Sequence, residues 1–294
     1  MTRRDLRVFA KARPGRIDAR RPGEVAAPTQ PHALDHWNPG IRAAGESGNN
    51  VITMYDVIGE DFWSGGGVTA KRVAAALRSI GERDVEVHLN SPGGDMFEGI
   101  AIYNMLREHP AKVTVKVLGL AASAASIVAM AGDEIQIGAA SFLMIHNCWV
   151  MAVGNRFDMK ETAEWLEPFD KAMADVYAAR SGQDRAKVEE WMAAGGGDGT
   201  YFSGSQAVDL GFADAVLSAD AMTESPEARA DGRAKSDLLR AEIALCGKMP
   251  RTEARALLNK IKGKPDAALD TPKPDAGDLS WVGAAADLSS FLRS

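Results

Sequence analysis

The chain has 294 residues, of which 46% are hydrophobic and 25% are charged, and these proportions are ordinary for a globular protein. Its formal net charge of −6 gives no reason to expect a nucleic acid partner. The two cysteines, Cys148 and Cys246, lie outside any zinc-ligand spacing, so neither a disulfide framework nor a metal site is expected. No apolar stretch reaches the roughly 18 residues of a membrane-spanning helix, so no membrane partner is expected.

Residues 1–50 are rich in proline, arginine and glycine and show no sustained hydrophobic period. This composition predicts a flexible N-terminal arm, with a removable pro-segment or a partner-binding arm as the alternatives. The arginines near the start are not followed by an apolar core, so a secretory signal is not expected. We therefore expect a cytoplasmic protein.

Residues 51–218 alternate between predicted strands and predicted helices, which indicates parallel strand pairing through right-handed crossovers. In chain order these elements are the segments VITMYDVIG, GGGVTAKRVAAALRSIG, DVEVHLN, DMFEGIAIYNMLREHP, AKVTVKVLG, AASAASIVAMAG, DEIQIG and SFLMIHN. Asp95 is the predicted N-cap of the second helix, which should end before Pro110. These signals predict an α/β domain.

A longer helix is predicted over residues 156–181 because apolar side chains recur there at three- and four-residue steps. A second helix follows Asp184, and a glycine-rich loop, a short helix and a last strand complete the domain. Residues 219–294 change to polar, linker-like sequence with short amphipathic helices, and they are a candidate removable tail. The predicted division is therefore 1–50, 51–218 and 219–294.

The turn NSPGGD contains Gly93 and Gly94, which leave backbone N–H groups unscreened by side chains. Such N–H groups suit an anion or a developing oxyanion, and an ordinary strand-to-helix turn is the alternative.

The segment GLAASAAS places Ser123 close to the predicted start of a helix, where the N–H of Ala124 has no intrahelical acceptor. A serine in this position can attack a carbonyl carbon while neighbouring N–H groups receive the oxygen. Ser126 lies one turn later beside apolar residues, so we predict a packing role for it. The alternative for either serine is simple tolerance of a small residue in an alanine-rich helix.

A serine nucleophile needs a base, and His146 is the candidate among the five histidines. It ends an apolar predicted strand, and sites in open parallel sheets form at such strand ends. A half-buried histidine satisfied by its neighbours is the alternative.

The ordered motifs NSPGG, GLAASAAS, MIHN and AVDLGFAD resemble the Clp protease proteolytic subunit (ClpP) over residues 51–218. The resemblance implies a ClpP/crotonase-like superhelix of repeated β-β-α units, with residues 156–181 as a protruding handle helix. It also implies a serine endopeptidase without a metal or organic cofactor. By motif, Ser123 would be the nucleophile, His146 the general base, and Gly94 and Ala124 the oxyanion N–H donors.

The third catalytic residue departs from the family pattern. The family register places Gly199 where the acid is expected, and Asp198 stands one position earlier. Asp198 is therefore the candidate acid, and a solvated loop aspartate is the alternative.

The long flanking segments look more like the ClpP-related head maturation proteases of tailed phages. This likeness implies capsid scaffold or other head proteins as substrates, and the host cytoplasm or the procapsid interior as the location. The wider family implies a homo-oligomer, as a heptameric ring or stacked rings, with an ATPase unfoldase as a further candidate partner. Three alternatives stay open: a housekeeping ATP-dependent Clp proteolytic subunit, a catalytically weak ring-forming structural protein, and an acyl-CoA enzyme of the crotonase type.

Overall fold

A computed structural model describes residues 28–45, 48–246 and 248–261. These residues fall into two compact units, divided between Arg229 and Ala230. The strands are β1 Ile41–Ala43, β2 Val51–Met54, β3 Val85–Ser91, β4 Val113–Ala122, β5 Glu134–Gly138, β6 Phe142–Ile145, β7 Thr200–Ser203, β8 Ala215–Leu217 and β9 Met222–Glu224. The helices are α1 Pro31–His36, α2 Ala70–Ile80, α3 Met96–Glu108, α4 Ala124–Ala129, α5 Arg156–Ser181, α6 Arg185–Gly197, α7 Gly204–Asp209, α8 Pro226–Cys246 and α9 Arg251–Ile261.

The first unit is built on one sheet in the order β2-β3-β4-β5-β8, and all neighbours along this path are parallel. The long central strand β4 has two neighbours on one side. Its residues 114–117 pair with β5, and its residues 120–122 pair in parallel with β6. β7 extends this second branch by antiparallel pairing with β6. The predicted α/β class with parallel crossovers is confirmed.

Buried aliphatic side chains of the strands form the core together with one face of each neighbouring helix. In α2 the buried face includes Val73 and Ile80, and the Thr69 side chain accepts a hydrogen bond from a first-turn N–H. Asp95 caps α3 as predicted, by accepting from Phe97 N and Glu98 N. These local signals fix where the helices begin, and hence where the preceding turns lie.

The helix α5 has the predicted bounds, Arg156–Ser181. Its C-terminal half is buried in the core, where Met173, Val176 and Tyr177 lie. Its first turn is exposed, and 68% of Phe157 is accessible. The three- and four-residue spacing of apolar side chains therefore predicts burial correctly in the C-terminal half of α5, but not in its first turn.

Residues 28–45 differ from the expectation of a flexible arm, because α1 and β1 are folded within the first unit. β1 pairs antiparallel with β9. Asn90, from the motif NSPGGD, donates from Nδ2 to the carbonyl of Asn38 at 2.8 Å, and the buried indole of Trp37 donates to the carbonyl of Asn90 at 3.2 Å. These contacts order the segment despite its irregular composition. Residues 1–27 lie outside the described residues, and their role as a pro-segment stays a prediction.

Residues 219–235 also differ from the predicted linker, since they contain β9 and the first part of α8, whereas the short amphipathic helices expected in this segment correspond to the rest of α8 and to α9. In the second unit Glu242 is 2% exposed and forms ion pairs with Arg251 and Arg255 of α9. A buried carboxylate that is paired in this way holds α8 and α9 together. The predicted tail beyond residue 261 lies outside the described residues. Among the helices that the structure describes, none has the length and hydropathy required to cross a bilayer.

Candidate active site

Ser123 occupies the single residue between β4 and α4, at a sharp turn from strand to helix. Its backbone has φ +56° and ψ −127°, and it is the only non-glycine residue with positive φ in the described part of the chain. A side chain in this conformation costs on the order of 1–3 kcal/mol, which surrounding structure must offset. Here the N–H of Ser123 donates to the Met144 carbonyl on β6 at 3.1 Å. The strained turn presents the hydroxyl outward from the strand end, as nucleophile turns in other hydrolases do.

His146 directly follows β6, and its Nε2 lies 2.7 Å from Ser123 Oγ. The pairing of β4 with β6 accounts for this distance, because Ala122 is directly opposite Met144 in the parallel register. The two side chains therefore leave the same edge of the sheet. Their separation permits direct proton transfer between the hydroxyl and the imidazole.

The glycine turn after β3 packs directly against Ser123. Gly93 has φ +84°, and a Cβ at this position would lie 2.6 Å from Ser123 Cβ and 2.5 Å from the Ala122 carbonyl oxygen. Gly94 has φ +146°, and a Cβ there would lie 2.2 Å from the Ile58 carbonyl oxygen. Only glycine fits at either position. The backbone of this turn beside Ser123 is therefore not covered by side chains of its own residues 93 and 94.

The predicted oxyanion donors, Gly94 and Ala124, have N–H groups that donate to no acceptor within the described residues. Gly94 lies in the turn that packs on Ser123, and Ala124 is the next residue after it. Unpaired N–H groups beside a serine hydroxyl are the arrangement that a developing oxyanion requires.

Asp198 is not within hydrogen-bonding distance of His146. Its Oδ1 instead accepts from Gln30 Nε2 at 3.3 Å, and its Oδ2 lies 3.9 Å from His32 Nε2. His146 Nδ1 is buried, and no side-chain acceptor among the described residues reaches it. The structure thus brings Ser123 and His146 together. The side chain of Asp198 instead faces Gln30, which precedes α1, and His32 within α1.

Gly199, which stands where the family register expects the acid, has no room for a side chain. Gly199 lies opposite His146, and a Cβ at Gly199 would lie 2.4 Å from His146 Cβ and 2.2 Å from the Ile145 carbonyl oxygen. No side chain fits there with this backbone. A carboxylate is available at Asp198, one residue earlier.

The environment of His146 favours the neutral imidazole. Its side chain is 4% exposed, and burial lowers its pKa from 6.5 to about 4. The charge of Asp198 and the backbone of Gly197 raise the pKa by smaller amounts. At neutral pH the imidazole is therefore unprotonated and able to accept a proton.

A family model described as Clp protease matches residues 68–220, which contain Ser123, His146 and Asp198. The chain belongs to the Clp protease family. The ClpP-type fold and the serine-type peptidase class that the sequence motifs predicted are thereby confirmed.

Curated relatives of this Clp protease agree with the assignment. The chain is 32% identical over 138 residues to the ATP-dependent Clp protease proteolytic subunit of Ligilactobacillus salivarius (strain UCC118), which covers 46% of this chain and 68% of the relative. It is 31% identical over 201 residues to subunit 1 of Streptomyces avermitilis, with coverage of 62% and 89%. It is 30% identical over 140 residues to subunit 3 of Rhodococcus jostii, with coverage of 47% and 67%.

The pocket at Ser123 in this Clp protease has an empty volume of about 340 Å³. Besides Ser123, His146, Gly94 and Ala124, its lining contains Pro28, Gln30, Met96, Cys148, Trp149, Met173 and Tyr177. Pro28 and Gln30 could not be predicted as site residues, because no periodicity or motif in residues 1–50 connects them with the site. Tyr177 was predicted only as part of an apolar helix face.

Ser126 and Cys148 lie close to Ser123, and neither is suited to act as the nucleophile. Ser126 is fully buried, and its Oγ lies 2.6 Å from the Ser123 carbonyl oxygen and 2.6 Å from the Tyr177 hydroxyl. It thus packs and bonds behind Ser123, as predicted. Burial and the neighbouring Asp170 raise the pKa of the Cys148 thiol, so this cysteine stays protonated and is a poor nucleophile.

The low pKa of His146 gives a direct prediction. In an NMR titration of the histidine ring resonances, we expect His146 to titrate at about 4, with its signal assigned by its loss in His146→Gln. Between about pH 6.5 and 4 the unfolded chain binds a proton that the native imidazole does not, so the free energy of unfolding should fall as the pH falls. This contribution is about 3 kcal/mol at most and should be missing in His146→Gln. Titration of His146 near 6.5 would contradict the burial argument.

Proposed function

We propose that this Clp protease is an endopeptidase in which Ser123 is the nucleophile and His146 is the general base. The proposal is carried by the 2.7 Å contact between His146 Nε2 and Ser123 Oγ at a strained turn. In the first half-reaction Ser123 Oγ forms a bond to the scissile carbonyl carbon, and its proton passes to His146 Nε2. The C–N bond then breaks, and the imidazolium gives the proton to the leaving amine.

The second half-reaction uses the same groups. A water molecule gives a proton to His146 and attacks the acyl ester, and the ester bond breaks as Ser123 Oγ regains the proton. In both steps we propose that the N–H groups of Gly94 and Ala124 stabilise the oxyanion. Asp198 is the proposed third residue, whose carboxylate would accept a hydrogen bond from His146 Nδ1 and so orient the ring.

For the biological role we propose a phage or prophage head maturation protease that cuts capsid scaffold or other head proteins. The support is the length of chain on both sides of residues 68–220, which the family model does not match. We further propose that residues 51–218 are the protease domain and that 1–50 and 219–294 contain self-cleavage sites. The relatives' names, which specify an ATP-dependent Clp protease proteolytic subunit, favour the housekeeping function as the second candidate.

We propose a ring-shaped homo-oligomer for either role. Phe169 and Met173 of α5 are buried within the subunit, so they are not available as ring contacts. Val153, Phe157 and Met159 at and before the start of α5 are exposed and are better candidates for subunit contacts.

The experiment that tests the function is mass spectrometry of the purified full chain over time, beside Ser123→Ala. For a maturation protease we expect cuts within residues 1–50 or 219–294 that are absent in Ser123→Ala. Cleavage of unfolded casein without self-cleavage, and of a folded protein only with an ATPase unfoldase and ATP, would favour the housekeeping function. An unchanged chain with no casein cleavage in either protein would refute the peptidase assignment.

A further inference from the structure

We propose that residues Pro28–Gln30, here called the latch segment, form an autoinhibitory contact that fills part of the pocket beside Ser123 and holds Asp198 away from His146. This inference rests on the proposed catalytic roles of Ser123 and His146.

The latch segment lies where a peptide substrate has to bind. Pro28 and Gln30 line the same pocket as Ser123 and His146. Gln30 is 3% exposed, and its backbone is extended, with φ −64° and ψ 131°. We infer that a substrate strand bound across Ser123 would meet the latch segment at the wall of this pocket.

The side chain of Gln30 also engages the candidate acid. Its Nε2 donates to Asp198 Oδ1 at 3.3 Å, while its Oε1 is buried without a hydrogen-bond partner in the described residues. His146 Nδ1 is likewise buried, and among these residues no side-chain acceptor reaches it; its nearby acceptor is the backbone of Gly197. A buried polar atom without a strong partner is unfavourable, so we infer a second arrangement in which Asp198 accepts a hydrogen bond from His146 Nδ1.

The loop that carries Asp198 allows such a change. Gly195, Gly196 and Gly197 precede it, all with positive φ, and a Cβ at Gly196 or Gly197 would have no heavy atom within 4 Å. The second contact of Asp198, to His32 at 3.9 Å, joins two largely exposed side chains and is therefore weak. The Gln30 hydrogen bond is the contact that holds the Asp198 side chain, whereas the backbone of Asp198 is held by its own N–H bond to the Ala194 carbonyl oxygen.

The chain after the latch segment is fixed, so opening does not require unfolding of the domain. Ala33 and Leu34 of α1 are buried, and Trp37 donates to the carbonyl of Asn90. Displacement of residues 28–30 would widen the pocket and release Asp198, with the loss of the hydrogen bond from Ala33 N to the Gln30 carbonyl oxygen. The binding free energy of a substrate strand, or of a partner that binds the N-terminal segment, would drive this displacement.

The test compares full-length wild type with Gln30→Ala, using cleavage of a short fluorogenic peptide and fluorophosphonate labelling. We expect Gln30→Ala to raise kcat/KM about 10-fold, as loss of one hydrogen bond to a charged acceptor allows. KM should fall because loss of the Gln30 side chain widens the pocket. The kcat should rise because Asp198 becomes free to orient His146. In Gln30→Ala/Asp198→Asn the lower KM should persist and the gain in kcat should be lost. A downfield proton resonance of His146 Nδ1–H should be present in Gln30→Ala and absent in the double variant.

The matched control is Gln136→Ala, since Gln136 also donates from Nε2 to a carboxylate, that of Glu134, away from the pocket. Gln30→Glu is a second variant that preserves side-chain size but repels Asp198, and it should also raise kcat. If Ser123 is labelled but kcat/KM of Gln30→Ala and Gln30→Glu is equal to or below that of wild type, the latch is refuted and the proposed function stands. If Ser123 is labelled in none of these proteins, the proposed function fails and the latch with it.

Discussion

Replacement of Ser123 by alanine should lower kcat/KM for a peptide substrate by on the order of 10⁶-fold, the loss found when a catalytic serine is removed from a comparable protease. The physical reason is that no other group in the pocket can form the acyl intermediate: Ser126 is buried behind the turn, and the Cys148 thiol is held protonated. Steady-state kinetics and covalent labelling by a fluorophosphonate measure the effect.

The control for this substitution is Ser141→Ala. Ser141 is a buried serine directly before β6 whose Oγ donates to the Leu118 carbonyl at 2.7 Å, and it does not line the pocket. We expect it to keep fluorophosphonate labelling and to lose some stability. Labelling of Ser123→Ala to the same extent as wild type would show that Ser123 is not the nucleophile.

Replacement of Gly93 by alanine should lower kcat/KM by on the order of 10²-fold or more, although no reacting group is removed. The added methyl would overlap Ser123 Cβ at 2.6 Å and the Ala122 carbonyl oxygen at 2.5 Å, so either the glycine turn or the serine has to shift. A shift of this kind breaks the alignment of Ser123 Oγ with His146 Nε2. Kinetics on the folded protein, with thermal unfolding in parallel, measure the loss.

Gly81→Ala is the matched control, because Gly81 has a similar φ of +71° but no heavy atom within 4 Å of an added Cβ. With φ +71° and ψ −148°, Gly81 has a backbone conformation that is nearly exclusive to glycine, so the substitution should cost on the order of 1–3 kcal/mol of stability. Its kcat/KM should stay at the wild-type value. Wild-type kcat/KM in Gly93→Ala would mean that the close packing of the glycine turn on Ser123 has no catalytic role.

Most of the elements around the site could be predicted because their signals are local. The bounds of α5 and the Asp95 cap follow from periodicity and capping within a few residues. The segment AASAASIVAMAG was predicted as a helix, whereas β4 continues through Ala122 and α4 begins at Ala124, so that Ser123 lies between them. The proximity of Ser123 and His146 was predicted from the family motifs and from the rule that sites form at strand ends. The pairing of β4 with β6 is the physical reason that the rule holds here.

The features that could not be predicted depend on contacts between residues far apart in sequence. Gln30 and Asp198 are separated by 168 positions, and no pattern in either segment indicates that they meet. The folding of β1 likewise depends on β9 and Asn90, which supply hydrogen bonds that the irregular composition of residues 1–50 does not reveal. Composition alone therefore underestimated how much of the arm is ordered.

The pairing of β1 with β9 limits how much of the chain can be trimmed from its C-terminal side. A cut before Met222 would remove the strand that β1 pairs with and would leave the main-chain groups of residues 41–43 without those partners. β1 follows Gln30 and α1 in the chain, and Gln30 lines the pocket at Ser123. A cut on the C-terminal side of the catalytic residues would therefore loosen a wall of this pocket. Maturation cuts that preserve the folded arm must therefore fall after Glu224.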